Sequence, residues 1–331
     1  MADSNNLVLN LLITARDEAS AAFGKLFRFL DTTTSATAMA LRGALSGVFG
    51  GAVDDAMAFE AALSRVQSKS KASAEEMQKL KQAALESGQS ATSAAQALEI
   101  LTGAGLTVDQ ALSALGPTLA VVKTEQVSAD VAARALTDTL SIMGLQMTDA
   151  ARVGDKLQAS ADATSTSVTA LAEAFREGGS GAVAAGLSFE QTVTILTAFA
   201  KSGLQGSEAG TALKAVLRDL GDATGPARQE LAKLGLASGN VGEMVEVLAK
   251  SGARGQAAIR AFSDEAGPGL NALLQVGVKG LADYQTQIDS AEGGLQKAAA
   301  TIQDNALGAL DRLQAAWNRV KLALTGPVLE P

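Results

Sequence analysis

The chain has no cysteine and no histidine. Disulfides, zinc–thiolate sites, imidazole ligands and Cys–His or Ser–His dyads are therefore excluded, and most hydrolase and metalloenzyme chemistry goes with them. Aromatic residues make up only 3%, so a core must be assembled from Ala, Leu and Val. Such small side chains let helices approach closely but bury little area each, which predicts modest stability and a use for oligomerisation or enclosure. Positive charge is short as well: 27 Lys and Arg stand against 35 Asp and Glu, a net charge of −8. A polyanion is repelled by such a surface, so no stable nucleic-acid binding is expected. The opening MADSNNLVLN lacks the basic start and apolar run of a secretory signal. The least charged stretch, Gly43 to Val53, is shorter than the ~20 apolar residues of a bilayer span. Its Gly43, Gly47 and Gly51 suit close helix pairing, and a buried or self-packing helix is favoured there over membrane contact.

What is present is a helical pattern. With 331 residues, 47% of them hydrophobic, the chain can bury a sizeable core in one large or two ordinary domains. In Ala185–Leu220, Ser188 with Gln191 forms a capping box, and Phe189, Val193 and Leu196 line one face. After a turn at Lys201-Ser202-Gly203, Ser207 is placed to cap a second helix with the stripe Ala209, Leu213, Val216 and Leu220, stopped by Gly221. The phrase Ala104-Gly105-Leu106-Thr107 anticipates Ala185-Gly186-Leu187-Ser188, each followed by an apolar residue, an acid and Gln, which suggests a duplicated helical unit.

The pattern predicts an all-α fold: an array of short helical hairpins between a long N-terminal helix and a C-terminal coiled-coil-like helix, with at most one short strand, Leu7–Ile13. Four segments follow: an N-terminal arm at 1–35, a long Gly-rich helix at 36–70, a duplicated hairpin domain at 71–280 and a heptad segment at 281–331. Inside the hairpin domain, Ser73 with Glu76 makes another capping box ahead of Met77, Leu80 and Ala84. Further starts are read at Thr92 or Ser93, Thr107, Ser128, Thr148, and Thr166 or Ser167, the last leading Val168, Leu171 and Phe175. Four of the five prolines follow glycine. Gly116-Pro117, Gly225-Pro226, Gly267-Pro268 and Gly326-Pro327 are read as joints, glycine ending one helix and proline opening the next. Gly178-Gly179-Ser180-Gly181 is read as a flexible turn, since no Gly-Lys-Ser/Thr accompanies it to cradle a phosphate. From Leu281 the apolar spacing alternates three and four through Tyr284, Ile288, Ala291, Leu295, Ala298 and Ile302. It resumes, after a stutter, through Leu310, Leu313, Trp317, Val320 and Leu324, a self-association seam with a bend expected at Gly293-Gly294.

No constellation for catalysis emerges. The acids Asp54-Asp55, Glu75-Glu76, Asp219 and Asp222 read as solvated faces, because general acid–base work needs one carboxyl in an apolar pocket facing another. Arg65, Lys69, Lys71, Lys79 and Lys81 are interrupted by acids and lack aromatics for base stacking. No cofactor or metal site and no enzymatic activity are expected.

Several phrases resemble the phage tail tape-measure protein family. They are Phe59-Glu60-Ala61-Ala62-Leu63, Ala104-Gly105-Leu106, Ala151-Arg152-Val153-Gly154-Asp155, Thr166-Ser167-Val168, Gly186-Leu187-Ser188-Phe189-Glu190 and Asp304-Asn305-Ala306-Leu307-Gly308. The most specific runs from Gly203 through Gly206, Ser207, Gly210 and Thr211 to Leu213. The resemblance implies a structural virion protein that occupies the lumen of the tail tube, sets tube length and leaves before DNA passes. It also implies assembly in the host cytoplasm with tail chaperones, and contact with the tail-tube protein and a baseplate or tail-tip hub. Copies running in one direction along a tube imply a parallel homo-oligomer, with a trimer favoured. Family members are longer, and a continuous helix of this chain would span only ~500 Å, so it is expected to continue in a longer parent. The rival classes are a non-viral helical scaffold or adaptor and a membrane-perturbing protein acting through residues 43–53.

Overall fold

The computed structural model describes residues 58–87, 90–236 and 240–304. Every regular element among them is helical and no strand occurs, so the all-α expectation holds. The strand candidate Leu7–Ile13, the 1–35 arm, Gly43–Val53, the Gly326-Pro327 joint, Asn305 and the seam residues Leu310, Leu313, Trp317, Val320 and Leu324 lie outside the described residues. The described residues divide into two compact units, one reaching to Glu99 and the other spanning Ile100–Asp304, with the boundary inside the helix at 91–103.

In the first unit, α1 (58–70) buries Phe59, Leu63 and Val66, the side chains its spacing puts on one stripe. Helix α2 (Ala74–Glu86) starts with the expected box: Ser73 accepts from Glu76 N–H, and the Glu76 carboxylate accepts from Ser73 N–H at 2.8 Å. α3 (Ala91–Gly103) begins earlier than Thr92 or Ser93, because Ser90 Oγ takes the cap by accepting from Ser93 N–H at 3.4 Å. Three members of the basic run form ion pairs. Arg65 and Lys69 both reach Glu99, at 2.7 and 2.9 Å, and Lys81 reaches Glu60 at 3.0 Å.

The second unit contains α4 (Val108–Glu125), α5 (Ala129–Ile142), α6 (Ala150–Ala163), α7 (Val168–Ala184), α8 (Phe189–Lys201), α9 (Gly206–Gly221), α10 (Pro226–Lys233), α11 (Val241–Lys250), α12 (Gly252–Arg260), α13 (Gly267–Asp289) and α14 (Gly294–Asp304). Thr107 with Gln110 and Ser188 with Gln191 form the capping boxes at the two copies of the repeated phrase. Gly105 and Gly186, the matching glycines, both take positive φ, at 86° and 74°. In each copy the glycine is followed by a leucine whose N–H returns to the carbonyl five residues back, Leu106 to Leu101 and Leu187 to Ala182. The closing turn recurs at Leu145, Leu204 and Leu236. Removing the hydroxyl in Ser188→Ala leaves the Gln191 N–H uncapped; a loss of ~1 kcal/mol is expected in a thermal melt, with Ser188→Asp retaining the cap.

Around this frame, α7 packs on α9 and α5, α8 on α13, and α14 on α4 and α6. The core contains Phe175, Phe199, Leu136, Leu140, Leu157, Leu196 and Leu213, all below 2% exposed. No helix among the described residues is long and apolar enough to cross a membrane.

Four local expectations are corrected. Gly116-Pro117 is no joint: both residues lie within α4, and Pro117 is buried in its interior. A proline there removes one helical hydrogen bond and crowds the residue before it, and glycine at 116 has no Cβ to meet the proline ring. At the other two described joints the proline half holds, with Pro226 and Pro268 in the first turns of α10 and α13, but neither glycine ends a helix: Gly225 is the residue before α10 and Gly267 opens α13. Gly178–Gly181 is not a flexible turn but helix inside α7, with Gly178 and Gly179 buried. Ser207 does not cap α9, which starts at Gly206 after Gln205 with no side-chain cap. Thr148 lies in a 3-10 turn, Met147–Asp149, and α6 starts at Ala150.

Asp219 is more than a solvated acid. Burial pushes its carboxyl up, but hydrogen bonds from Ser263 Oγ and N–H, at 2.6 and 2.8 Å, and from Arg218 outweigh burial and hold it below the usual range. It thereby ties the end of α9 to the turn before α13. Because the folded value is depressed, its stabilisation is complete above the unfolded value of about 3.9 and is lost as pH falls through the folded one. Asp219→Asn is therefore expected to melt below the native chain at neutral pH and to converge with it in strong acid. A gap of constant size from neutral to strongly acidic pH would contradict the assignment.

Candidate functional site

Two of the singled-out phrases meet where α6, α7 and α8 pack. Arg152, at the start of α6, forms an ion pair with Glu190 in the first turn of α8 and a second with Asp149 at 3.3 Å. Its guanidinium lies 5.9 Å from the centroid of the Phe189 ring, and that ring stacks on Phe175 of α7 at 5.4 Å. One arginine thus ties three helices, by charge to two carboxylates and through an aromatic face to the core. Deeper along the same helix pair, Ser160 and Thr197 share a buried hydroxyl–hydroxyl bond of 2.7 Å.

The next residues of α6 act on another part of the chain. Asp155 accepts from Gly293 N–H at 2.7 Å and Leu295 N–H at 3.0 Å, at the start of α14. Lys156 donates to the Ile288 carbonyl at 2.9 Å and the Asp289 carbonyl at 3.4 Å, at the end of α13. The acid meets a helix N-terminus and the cation a helix C-terminus, so each satisfies backbone groups that helix geometry leaves unpaired, with the favourable sign. Both side chains are buried, at 8% and 6% exposed. The expected continuous seam from Leu281 is accordingly interrupted: α13 stops at Asp289, α14 restarts at Gly294, and a break replaces the bend.

The most specific phrase is a packing device. Gly203 holds the left-handed turn after α8 with φ 89°. Gly206, φ 58°, sits where a Cβ would come within 2.9 Å of Glu173 Oε2. A Cβ on Gly210 would lie 2.4 Å from the Ala174 carbonyl oxygen, and one on Gly178 would lie 2.5 Å from the Gly210 oxygen. Gly178 of α7 and Gly210 of α9 are therefore there for backbone-to-backbone contact. Ser207 and Thr211 are exposed. Thr166-Ser167-Val168 opens α7, where Ser167 accepts from Ala170 N–H and Glu125 accepts from Val168 N–H at 3.1 Å. Asp304 is the last described residue, closing α14.

Two adjoining hollows share Gln191 and Gln285. One, of about 260 Å³, lies between α8, α11 and α13 and is walled by Leu187, Ile195, Val241, Val278 and Leu281. The other is shallow and rimmed by Arg152, Lys156, Glu190 and Asp289. Arg152, Lys156 and Glu190 are engaged with partners on the protein itself. Among the described residues no group of three or more acids could hold a metal ion. What this arrangement does chemically is lock helices to one another.

Sequence reasoning quoted Arg152, Asp155 and Glu190 without giving them roles and passed over Lys156 and Glu125. A signal was present for Lys156: it falls three residues after Val153 and four before Ser160, on the buried stripe of α6. A charge on an apolar stripe calls for a partner.

The chain matches the family described as phage-related minor tail protein over residues 81–325. A curated relative, the tape measure protein of Pneumococcus phage Dp-1, is 26% identical over 290 residues, covering 82% of this chain and 25% of the relative. The chain thus spans a quarter of that relative's length. No solved structure matches.

Proposed function

The chain belongs to the phage-related minor tail protein family, and we propose that within this structural role in the tail it works as a tape measure. In this reading it occupies the lumen of the tail tube, its length sets the tube's length, and it leaves before DNA passes. The similarity of 82% of the chain to a tape measure protein carries the reading. Its physical character supports it: an acidic, helical chain does not hold passing DNA, and its central charged cluster is committed to internal joints rather than to a substrate. Leu310, Leu313, Trp317, Val320 and Leu324 form the seam through which copies associate in parallel, as a trimer. Tail-tube protein, tail chaperones and a baseplate or tail-tip hub are its partners, met first in the host cytoplasm. It has no catalytic role.

Mass spectrometry of purified particles before and after triggered genome release tests the reading. The chain is expected in the loaded tails and lost from the emptied ones. Equal amounts in both would contradict release, and absence from both would contradict a place in the tail.

A further inference from the structure

Leu281, Ile288, Leu295 and Ile302 recur every seven residues, with Tyr284, Ala291 and Ala298 between them. A heptad of this kind pairs helices only where the helix is continuous. Here it is not, because residues 290–293 leave the helix and Gly293 takes φ 65°. Such a break resets the helical phase, so a strict seven-residue repeat across it has no packing reason in this arrangement. The stripe is nonetheless used within the chain: Leu281 is 9% exposed, Ile288 1% and Leu295 1%.

Three consecutive residues of α6 hold the break. Lys156 caps the end of α13 and Asp155 the start of α14. Gly154 leaves the notch in which Leu295 sits, since a Cβ there would lie 2.6 Å from Leu295 Cδ2. A second glycine inside α13, Gly277 with φ 67° and ψ 175°, makes another non-helical point with nothing within 4 Å of a would-be Cβ.

We infer that Gly154-Asp155-Lys156 is a latch holding the 281–304 stripe against its own chain, and that its release joins α13 and α14 into one helix whose stripe pairs with a second copy of this chain. The stripe's apolar side chains are buried in either state, and the α4 and α6 surface that α14 covers here is uncovered on release, a cost set against the interface gained. The balance is left to the latch hydrogen bonds and to the left-handed residue at the break. The partner is a second copy because a heptad repeat with Ile and Leu at successive positions is complementary to itself. The parallel orientation of the pair rests on the tail-lumen reading; the latch does not.

The chain has no native cysteine, so Ala298→Cys, on the repeat, reports pairing through interchain disulfide formation, and Ala300→Cys, exposed and off the repeat, is the control. Each is placed in the otherwise native full chain, in Gly293→Ala and in Asp155→Ala, and oxidised at matched concentration. Gly293→Ala leaves the core untouched and penalises only the left-handed break, so crosslinking at 298 should rise about fivefold or more. Asp155→Ala should act in the same direction, with position 300 unchanged in both. Unchanged crosslinking at 298 in Gly293→Ala, or an equal rise at 298 and 300, would overturn the latch. The isolated chain is measured without particles, so this result stands apart from whether the chain is found in tails.

Discussion

Gly210→Ala is expected to lower the melting temperature by roughly 6–12 °C, the shift that ~3 kcal/mol produces in a cooperative unit of this size. The added methyl would lie 2.4 Å from the Ala174 carbonyl oxygen, 2.6 Å from Glu177 Cβ and 3.0 Å from Ala174 Cα. None of these atoms can rotate away, so α7 and α9 must move apart along the most extensive helix–helix contact in the unit. That movement loosens Phe175, Leu213 and Val216, each at most 1% exposed, which places the cost at the upper end for overpacking. Gly178→Ala strains the same contact from the other helix, and the double variant should cost less than the sum, because the first methyl has already parted the helices. Gly221→Ala is the control. It closes α9 with nothing within 4 Å of its Cβ position, and it should be neutral or slightly stabilising. Equal melting of Gly210→Ala and Gly221→Ala would show that the two backbones do not touch.

Asp155→Ala is expected to cost ~2–4 kcal/mol in the docking of α14, because it strips a charged acceptor from two backbone donors. The Leu295 N–H loses its partner in a buried place where water does not readily replace it, and the half-buried Gly293 N–H loses its partner with it. Asp155→Asn should recover part of the loss, since one amide oxygen can still accept. Hydrogen exchange reads this locally: both amides should lose protection in the alanine variant, while Gln191 N–H at the start of α8, bound to Ser188, keeps its own. Retained protection at both sites would remove Asp155 from its role at the break.

The parts of this fold that were legible in the sequence are those whose cause lies within a few residues. The capping boxes at Ser73 and Ser188, the helix starts at Thr107, Ser128 and Ser167 and the stripes of α7 and α8 each need only a three- or four-residue spacing, and the structure has them there. The misreadings come from residues whose conformation is set by a distant partner. Gly178-Gly179 looks like a turn because glycine is a poor helix former, yet it stays helical because Gly210, more than thirty residues on, comes against it. Ser207 looks like a cap, but Gly206 takes the first helical position in a niche beside Glu173. The break at 290–293 is held from Asp155 and Lys156, more than 130 residues earlier, a separation no local pattern encodes. Of the candidate site, the phrases were legible as a resemblance; their convergence on one set of helix joints was not, because Arg152 and Glu190 become neighbours only when α6 packs against α8.

The length of the tail is the most direct measure of the account. An in-frame deletion of residues 226–260, which carry α10 to α12, removes a helical length of about 50 Å at ~1.5 Å per residue, and a tandem duplication of the same residues adds as much. Tails of particles assembled on each variant, measured by electron microscopy, are expected to be shorter and longer than native by about that amount. Tails of native length that contain the shortened or lengthened chain would contradict the proposal that it acts as the ruler.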